Sequence, residues 1–258
     1  MKAVILAGGL GTRLSEETQI KPKPMVEIGG YPILWHIMNH YSKFGYIDFV
    51  ILLGYKGYII KEYFVNYFLH NSDFTVDLGN NNVEIINKQN LNWKVTLVDT
   101  GINSMTGARV KKVEHLIGDD TFMLTYGDGL IDLNINDLVQ FHKTHEAAVT
   151  MTSAQPDGRF GSLEISGNKV VKFQEKPKGD GSWINAGYFV CNKDIFKYIE
   201  NGDDVVLEQE PLKLLAKDNQ LFTYKHEGFW MPMDTLRDKN ILDKMCESGR
   251  APWITWDK

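Results

Sequence analysis

The chain has 258 residues, 43% hydrophobic and 24% charged, a balance that excludes intrinsic disorder and suits a folded protein of one large or two small domains. Its 28 lysines and arginines against 33 aspartates and glutamates leave a net charge of −5, which excludes a surface built as a whole for nucleic acid. Any anion must be met by cations gathered at one place. The two cysteines, Cys191 and Cys246, exclude a disulfide framework and a Cys-rich zinc site.

In chain order, residues 2–7 read as a buried strand that gives way to turn chemistry at Gly8-Gly9-Leu10-Gly11. This apolar start is short and meets Arg13 without a cleavage pattern, so it is not read as a signal peptide. No stretch approaches the ~20 apolar residues of a membrane span; a cytoplasmic protein without a membrane partner is expected. Pro32 opens a helix with Ile33, Leu34, Ile37, Met38, Tyr41 and Phe44 at helical spacing, and Gly45 closes it. A strand at 49–53 follows, then a helix carrying Ile59, Ile60, Tyr63, Phe64, Tyr67 and Phe68. Residues 74–78 and 83–86 alternate around Gly79-Asn80-Asn81-Asn82, a hairpin pattern. Next come a strand at 93–98, a helix at 108–117 and a buried strand at 122–126 that ends at Gly127-Asp128-Gly129.

The alternation over 1–145 predicts an α/β fold with a doubly wound, mostly parallel sheet, interrupted by a hairpin insertion near 72–98. Residues 146–258 form a strand-rich second lobe, with strands at 148–153, 162–165, 170–174, 184–190 and 221–224. Helices are expected at 195–200, 210–217 and 235–246. Without a Pro- or Ser-rich linker, a repeat or a low-complexity stretch, the economical reading is one domain over 1–258.

The first chemical motif is Leu6-Ala7-Gly8-Gly9-Leu10-Gly11-Thr12-Arg13-Leu14. Glycines after a buried strand let backbone N–H groups approach an anion closely. No Gly-Lys-Ser/Thr follows, so it is not a Walker loop, and Leu14 stands where the dinucleotide fingerprint needs its last small residue. A plain strand-to-loop turn would also explain the glycines. Thr12-Arg13 shifts the balance, because a guanidinium beside such a loop suits a phosphate.

Lys21-Pro22-Lys23-Pro24-Met25 follows. Residues 1–24 carry Lys2, Arg13, Lys21 and Lys23 against Glu16 and Glu17, a local +2 in an acidic chain. The prolines hold the segment extended, so that a lysine is placed at little entropic cost. A solvated charge explains Lys21 equally well; Lys23 is the better candidate.

These two motifs resemble the signature of the sugar-phosphate nucleotidyltransferases. Gly127-Asp128-Gly129, Phe173-Gln174-Glu175-Lys176-Pro177, Ile184-Asn185-Ala186-Gly187 and Trp230-Met231-Pro232-Met233-Asp234 continue the resemblance in order over nearly the whole chain. Val98-Asp99-Thr100-Gly101, Thr106-Gly107 with Arg109, and Phe229 before Trp230 narrow it to the branch that uses CTP and glucose 1-phosphate. Ser104 and Ala108 depart from that branch's pattern of Thr and Gly.

The resemblance implies a Rossmann-like fold with a nucleotide-binding half (1–145) and a sugar-binding half (146–258). It also implies Mg2+-dependent formation of CDP-glucose and pyrophosphate. It assigns Leu6, Ala7, Gly8, Gly9, Leu10, Gly11, Thr12, Arg13, Ser104, Arg109 and Gly127 to the nucleotide. Arg13 neutralises charge toward the β- and γ-phosphates, and Lys23 bridges the sugar phosphate and the α-phosphate. Glu175, Lys176, Asn185 and Gly187 fall to the sugar phosphate, and Asp128 and Asp234 to one Mg2+. A homo-oligomer, with a hexamer as the state to test, and a place in surface-polysaccharide (O-antigen) precursor synthesis are further implications.

The chemistry suits such residues. Both reactants are polyanions, and two like unit charges 4 Å apart repel by about 4 kcal/mol at an effective dielectric of 20. A phosphate nucleophile is already ionised near pH 7, so cations are needed and a general base is not.

Blander accounts stand beside several assignments. Asp128 could be a turn aspartate, Asp234 a helix cap before Thr235-Leu236, and Glu175-Lys176 a surface ion pair. Ser104 and Arg109 could belong to a polar loop and helix face. His36 and His40 lack the glutamate of a zinc-protease helix, His142 and His145 read as a polar helix face, and no Gly-x-Ser-x-Gly elbow is present. The aromatic stripe from Tyr58 to Phe68 reads as core or subunit interface.

UTP, dTTP or another hexose 1-phosphate would keep the chemistry. A catalytically silent regulatory paralogue is the alternative of another class, and the joint presence of Arg13, Lys23, Asp128 and Asp234 argues against it. A metal-dependent glycosyltransferase would carry an Asp-x-Asp motif, which Asp128-Gly129-Leu130-Ile131-Asp132 is not.

Overall fold

Residue 3 onward forms a strand, Ala3–Ala7, that is buried along its whole length, which explains its continuous apolar sequence: a central parallel strand is covered on both faces. Ala3, Ile5 and Ala7 face one core with Ile33, Leu34 and Ile37 of the helix Ile33–Lys43. Val4 and Leu6 face the other, with Val110 of the helix Thr106–Lys112 and with Val113 just beyond it. The computed structural model describes residues 1–86, 91–156, 162–175 and 182–256.

The central sheet has seven strands in the order Leu221–His226, Val149–Ala154, Ile184–Cys191, Phe122–Tyr126, Ala3–Ala7, Asp48–Leu53 and Lys94–Asp99. Only Ile184–Cys191 runs antiparallel to its neighbours; the other pairings are parallel. The fold is therefore α/β with a mostly parallel sheet covered on both faces. Three of the strands expected in the second half extend this same sheet. The other two, Ser162–Ser166 and Lys169–Gln174, pair as a separate antiparallel ribbon.

The hairpin pairs Phe74–Asp77 with Asn82–Ile85, Asp77 Oδ1 accepting the Gly79 and Asn80 N–H groups at its turn. Its extent is shorter than expected, because Lys94–Asp99 is the edge of the main sheet and not part of an insertion.

Helix boundaries show where periodicity misleads. The expected 108–117 helix is two, Thr106–Lys112 and Glu114–Ile117, and the aromatic one divides into Gly57–Val65 and Tyr67–His70. Residues 195–200 give a tight 3-10 turn, Lys193–Lys197, opened by Asn192. The sequence places His142 on a helix without giving its bounds; the structure gives that helix as Ile135–His142, opened by Asn134.

It also corrects the reading of His142. Ile135, Leu138, Val139 and His142 share its buried face, so His142 points inward, and Thr150 Oγ1 lies 2.9 Å from its Nδ1 and 2.8 Å from His145 Nε2. His36 and His40 are core residues. Along the aromatic stripe, Tyr63 and Phe64 pack on the core while Tyr58 and Phe68 are exposed. Among the described residues, no helix is long and apolar enough to cross a membrane.

Candidate active site

The strands run outward from Ala3–Ala7 to Asp48–Leu53 and Lys94–Asp99, and Phe122–Tyr126 then returns to the opposite side of Ala3–Ala7. The loops that leave Ala7 and Tyr126 thus diverge at a switch point, where open α/β sheets hold their ligands. Gly127 N–H donates to Leu6 O at 3.0 Å and Tyr55 N–H to Gly8 O at 3.1 Å, which fixes the floor of this crevice.

A cavity of about 690 Å³ opens there, within the usual range of a ligand site. Residues 6–13, Lys23, residues 102–106, Arg109, Tyr126, Gly127, Asp128 and Glu208 line it. Every residue that the resemblance assigns to a nucleotide is among them.

The glycine loop is shaped by steric need. Gly11 has φ +64°, and a Cβ on it would lie 2.8 Å from Thr18 Cγ2. A Cβ on Gly8 would lie 2.3 Å from Arg109 Nη1. The Arg109 guanidinium is buried and engaged: Nη1 donates to Leu53 O, Thr100 Oγ1 and Gly101 O at 2.6–2.9 Å, and Nη2 to Gly8 O at 3.0 Å. Its donors hold the glycine loop against the 100–102 loop, so it shapes the cavity wall. Burial lowers its pKa, against the pull of Asp99 and Asp203. Ser104 is likewise tied into the wall, its Oγ 2.7 Å from Asp203 Oδ1 and accepting from Lys112 Nζ at 2.7 Å.

At one end of the cavity lies a charge cluster. Lys23 Nζ donates to Asp128 Oδ2 at 2.6 Å and to Asp234 Oδ1 at 2.8 Å, while Arg13 Nη1 donates to Asp234 Oδ2 at 3.0 Å. The Lys23 side chain is mostly buried, whereas Arg13 is largely exposed. Burial opposes the Lys23 charge, but the two carboxylates outweigh it and hold its pKa above the ordinary value.

A short antiparallel pair, Gly129–Ile131 with Trp230–Pro232, brings the carboxylates together, and Met233 N–H donates to Asp128 O at 2.8 Å. Asp234 is not the helix cap. Thr235 caps Leu236–Glu247 in a reciprocal box with Asp238, and the Asp234 carboxylate is turned to the cations. Among the described residues, no three His, Cys, Asp or Glu side chains gather as a metal cage. Two carboxylates that already share one cation are a donor set that fits a hard ion completed by phosphate and water oxygens.

A smaller cavity, about 220 Å³, adjoins the first and shares Arg13, Tyr126 and Asp128 with it. Gly129, Asn185, Ala186, Tyr188, Trp230, Pro232 and Asp234 complete its wall. Trp230 Nε1 donates to Ala186 O and Tyr188 Oη to Gly129 O, both at 2.8 Å. Gly187, at φ +79°, has no room for a side chain, since its Cβ would lie 2.4 Å from Tyr126 Cδ2. Glu175, at the exposed end of the Lys169–Gln174 strand, lines neither cavity, and Lys176 lies outside the described residues. Sequence reasoning missed Tyr126 and Glu208. Tyr126 adjoins the Gly127-Asp128 motif, a signal that could have found it; Glu208 carries no motif at all.

The family model described as nucleotidyl transferase matches residues 2–237. The chain belongs to the nucleotidyl transferase family. It is 57% identical over 258 residues, the full length of both chains, to glucose-1-phosphate cytidylyltransferase of Salmonella typhi, and equally so to that of Salmonella typhimurium. The crystal structure of HddC from Yersinia pseudotuberculosis superimposes with a TM-score of 0.68 at 24% identity, covering 96% of this chain and 99% of that one, a likeness of fold. The motif-bearing loops of this nucleotidyl transferase thus lie on the fold that the alternation of strands and helices predicted.

Proposed function

We propose that the protein transfers a cytidylyl group from CTP to α-D-glucose 1-phosphate, giving CDP-glucose and pyrophosphate, with Mg2+ at Asp128 and Asp234. The observation that carries this reading is the cluster of Lys23, Arg13, Asp128 and Asp234 where a large and a small cavity meet. CTP and glucose are taken from the names of the full-length Salmonella relatives.

In this reading the triphosphate follows the glycine loop toward Arg13, and the sugar phosphate enters the smaller cavity beside Asn185. The α-phosphorus then lies near Lys23. An ionised oxygen of the sugar phosphate attacks it in line and pyrophosphate leaves, with no proton to remove. Lys23, fixed by two carboxylates, needs little reorganisation to meet charge that develops on the α-phosphoryl oxygens. Mg2+ when bound supplies further neutralisation of phosphate charge.

The same reading makes the protein a cytoplasmic homo-oligomer. The exposed apolar residues Phe74, Val76 and Val83 on a two-stranded hairpin support this, because such a hairpin is marginal without a partner.

The test is pyrophosphate release from glucose 1-phosphate with CTP, UTP, dTTP, ATP and GTP, with and without Mg2+. Strong preference for CTP and dependence on Mg2+ are expected. Preference for another nucleotide would overturn the base assignment and keep the reaction. No release with any of the five would overturn the substrate pair.

A further inference from the structure

Tyr126 is the one wall residue of both cavities whose hydroxyl joins them through described hydrogen bonds. Asn185 Oδ1 accepts the Gly187 N–H at 2.8 Å, and a backbone N–H can only donate, so the amide nitrogen of Asn185 is turned the other way. Asn185 Nδ2 donates to Tyr126 Oη at 3.1 Å. The single hydroxyl proton of Tyr126 therefore goes to its remaining partner, Glu208 Oε1, at 2.5 Å. Each link has one possible direction, from Gly187 through Asn185 and Tyr126 to the carboxylate.

Glu208 is itself fixed from the nucleotide side. Thr106 Oγ1 donates to Glu208 Oε2 at 2.6 Å and accepts the Leu207 N–H at 2.9 Å. Met105 N–H donates to Asp203 O at 2.8 Å and Ala108 N–H to Val205 O at 3.0 Å. A Cβ on Gly107 would meet Val205 at 2.9 Å, so residues 203–208 lie directly against the 102–108 wall. A carboxylate in a cavity that receives polyanions repels them, and a structural part that outweighs this repulsion explains its presence.

We infer that Glu208 is a positioning residue for the sugar side of the site: from the wall of the nucleotide cavity it orients Asn185 in the smaller cavity through the Tyr126 hydroxyl. This rests on the reading of the smaller cavity as the glucose 1-phosphate site. The consequence is that a residue lining only the larger cavity controls recognition in the smaller one. Any shift of the 203–208 segment when the larger cavity fills is transmitted along the same three side chains.

Steady-state kinetics of the full chain, with CTP and glucose 1-phosphate varied separately, test the inference. Glu208→Ala should raise KM for glucose 1-phosphate about tenfold, the size of one lost charge-assisted hydrogen bond, with a smaller change in KM for CTP. Glu208→Gln keeps an acceptor for Tyr126 and should restore most of the loss. Tyr126→Phe should raise the same KM, and adding Glu208→Ala to it should change little more, since both break one chain.

A change confined to the CTP parameters, or effects of Glu208→Ala and Tyr126→Phe that multiply, would overturn the inference. Should the alanine variant fail to fold by circular dichroism, an unmoved glucose 1-phosphate KM in Tyr126→Phe overturns it alone. Failure of the unmodified chain to turn over this substrate pair would overturn the reading and the inference together.

Discussion

Lys23 is held by two carboxylates that come from distant parts of the chain, and each of the three charges depends on the other two. Without the ammonium, Asp128 and Asp234 would face each other across the same space. Lys23→Ala should therefore lower kcat by about 10²–10³-fold, the usual effect of deleting one group that stabilises transition-state charge. The circular dichroism spectrum should remain that of the unmodified protein. Pyrophosphate release at saturating substrates is the measurement; a raised KM with kcat unchanged would confine Lys23 to ground-state binding.

At this scale the sequence was most informative where short motifs concentrate glycine, proline and charge. Gly8 to Arg13, Lys23, Asp128 and Asp234 were all legible, and they converge. Arg109 was legible as a position near the cavity but not in its action, because a guanidinium serves carbonyl oxygens as readily as phosphates and only geometry tells them apart. Glu208 was illegible: in Glu208-Gln209-Glu210-Pro211 it reads as the acidic lead-in to the helix Glu210–Lys217.

Among the elements, the strand Ile184–Cys191 walls the smaller cavity with Asn185, Ala186 and Tyr188. Its pairing with Val149–Ala154 shifts register between Met151 and Ser153, and Gly187 lies opposite this irregularity with φ +79°. An L side chain there is strained by its backbone and also collides with the Tyr126 ring. Gly187→Ala should destabilise the fold by roughly 2–3 kcal/mol, seen as a lower urea midpoint with an unchanged slope. An unchanged midpoint would show that the ring has room to yield.

The strand itself was read from its apolar run, and each of the seven strands of the central sheet was likewise read as a strand. Its antiparallel direction and its place between Phe122–Tyr126 and Val149–Ala154 were not, since periodicity reports which residues are covered and is silent on neighbours. The pair Gly129–Ile131 and Trp230–Pro232 escaped for another reason. Three residues are too few to show alternation, yet this pair brings Asp128 to Asp234.

For the whole molecule, the buried histidines should make stability fall in acid. Burial is the main cause in each case: it lowers the buried His36 and the half-buried His145, and pushes His40 and His142 down to about 4. Lys43 and His226 add to the effect on His40 and Asp132 opposes it, while His145 adds to the effect on His142. A histidine with a folded pKa below its unfolded 6.5 binds fewer protons in the folded state. Its contribution is complete above pH 6.5 and is lost as the pH falls from 6.5 toward 4, because protons then favour the unfolded chain.

For His40 and His142 the loss by pH 5 is roughly 2 kcal/mol apiece, a large share of the 5–15 kcal/mol typical of a domain. The urea midpoint should therefore fall steeply between pH 7 and pH 5. His142→Gln should flatten that slope, since an amide in its place has no proton to gain. A midpoint that stays level over this range would mean that the rings find room to ionise inside the fold.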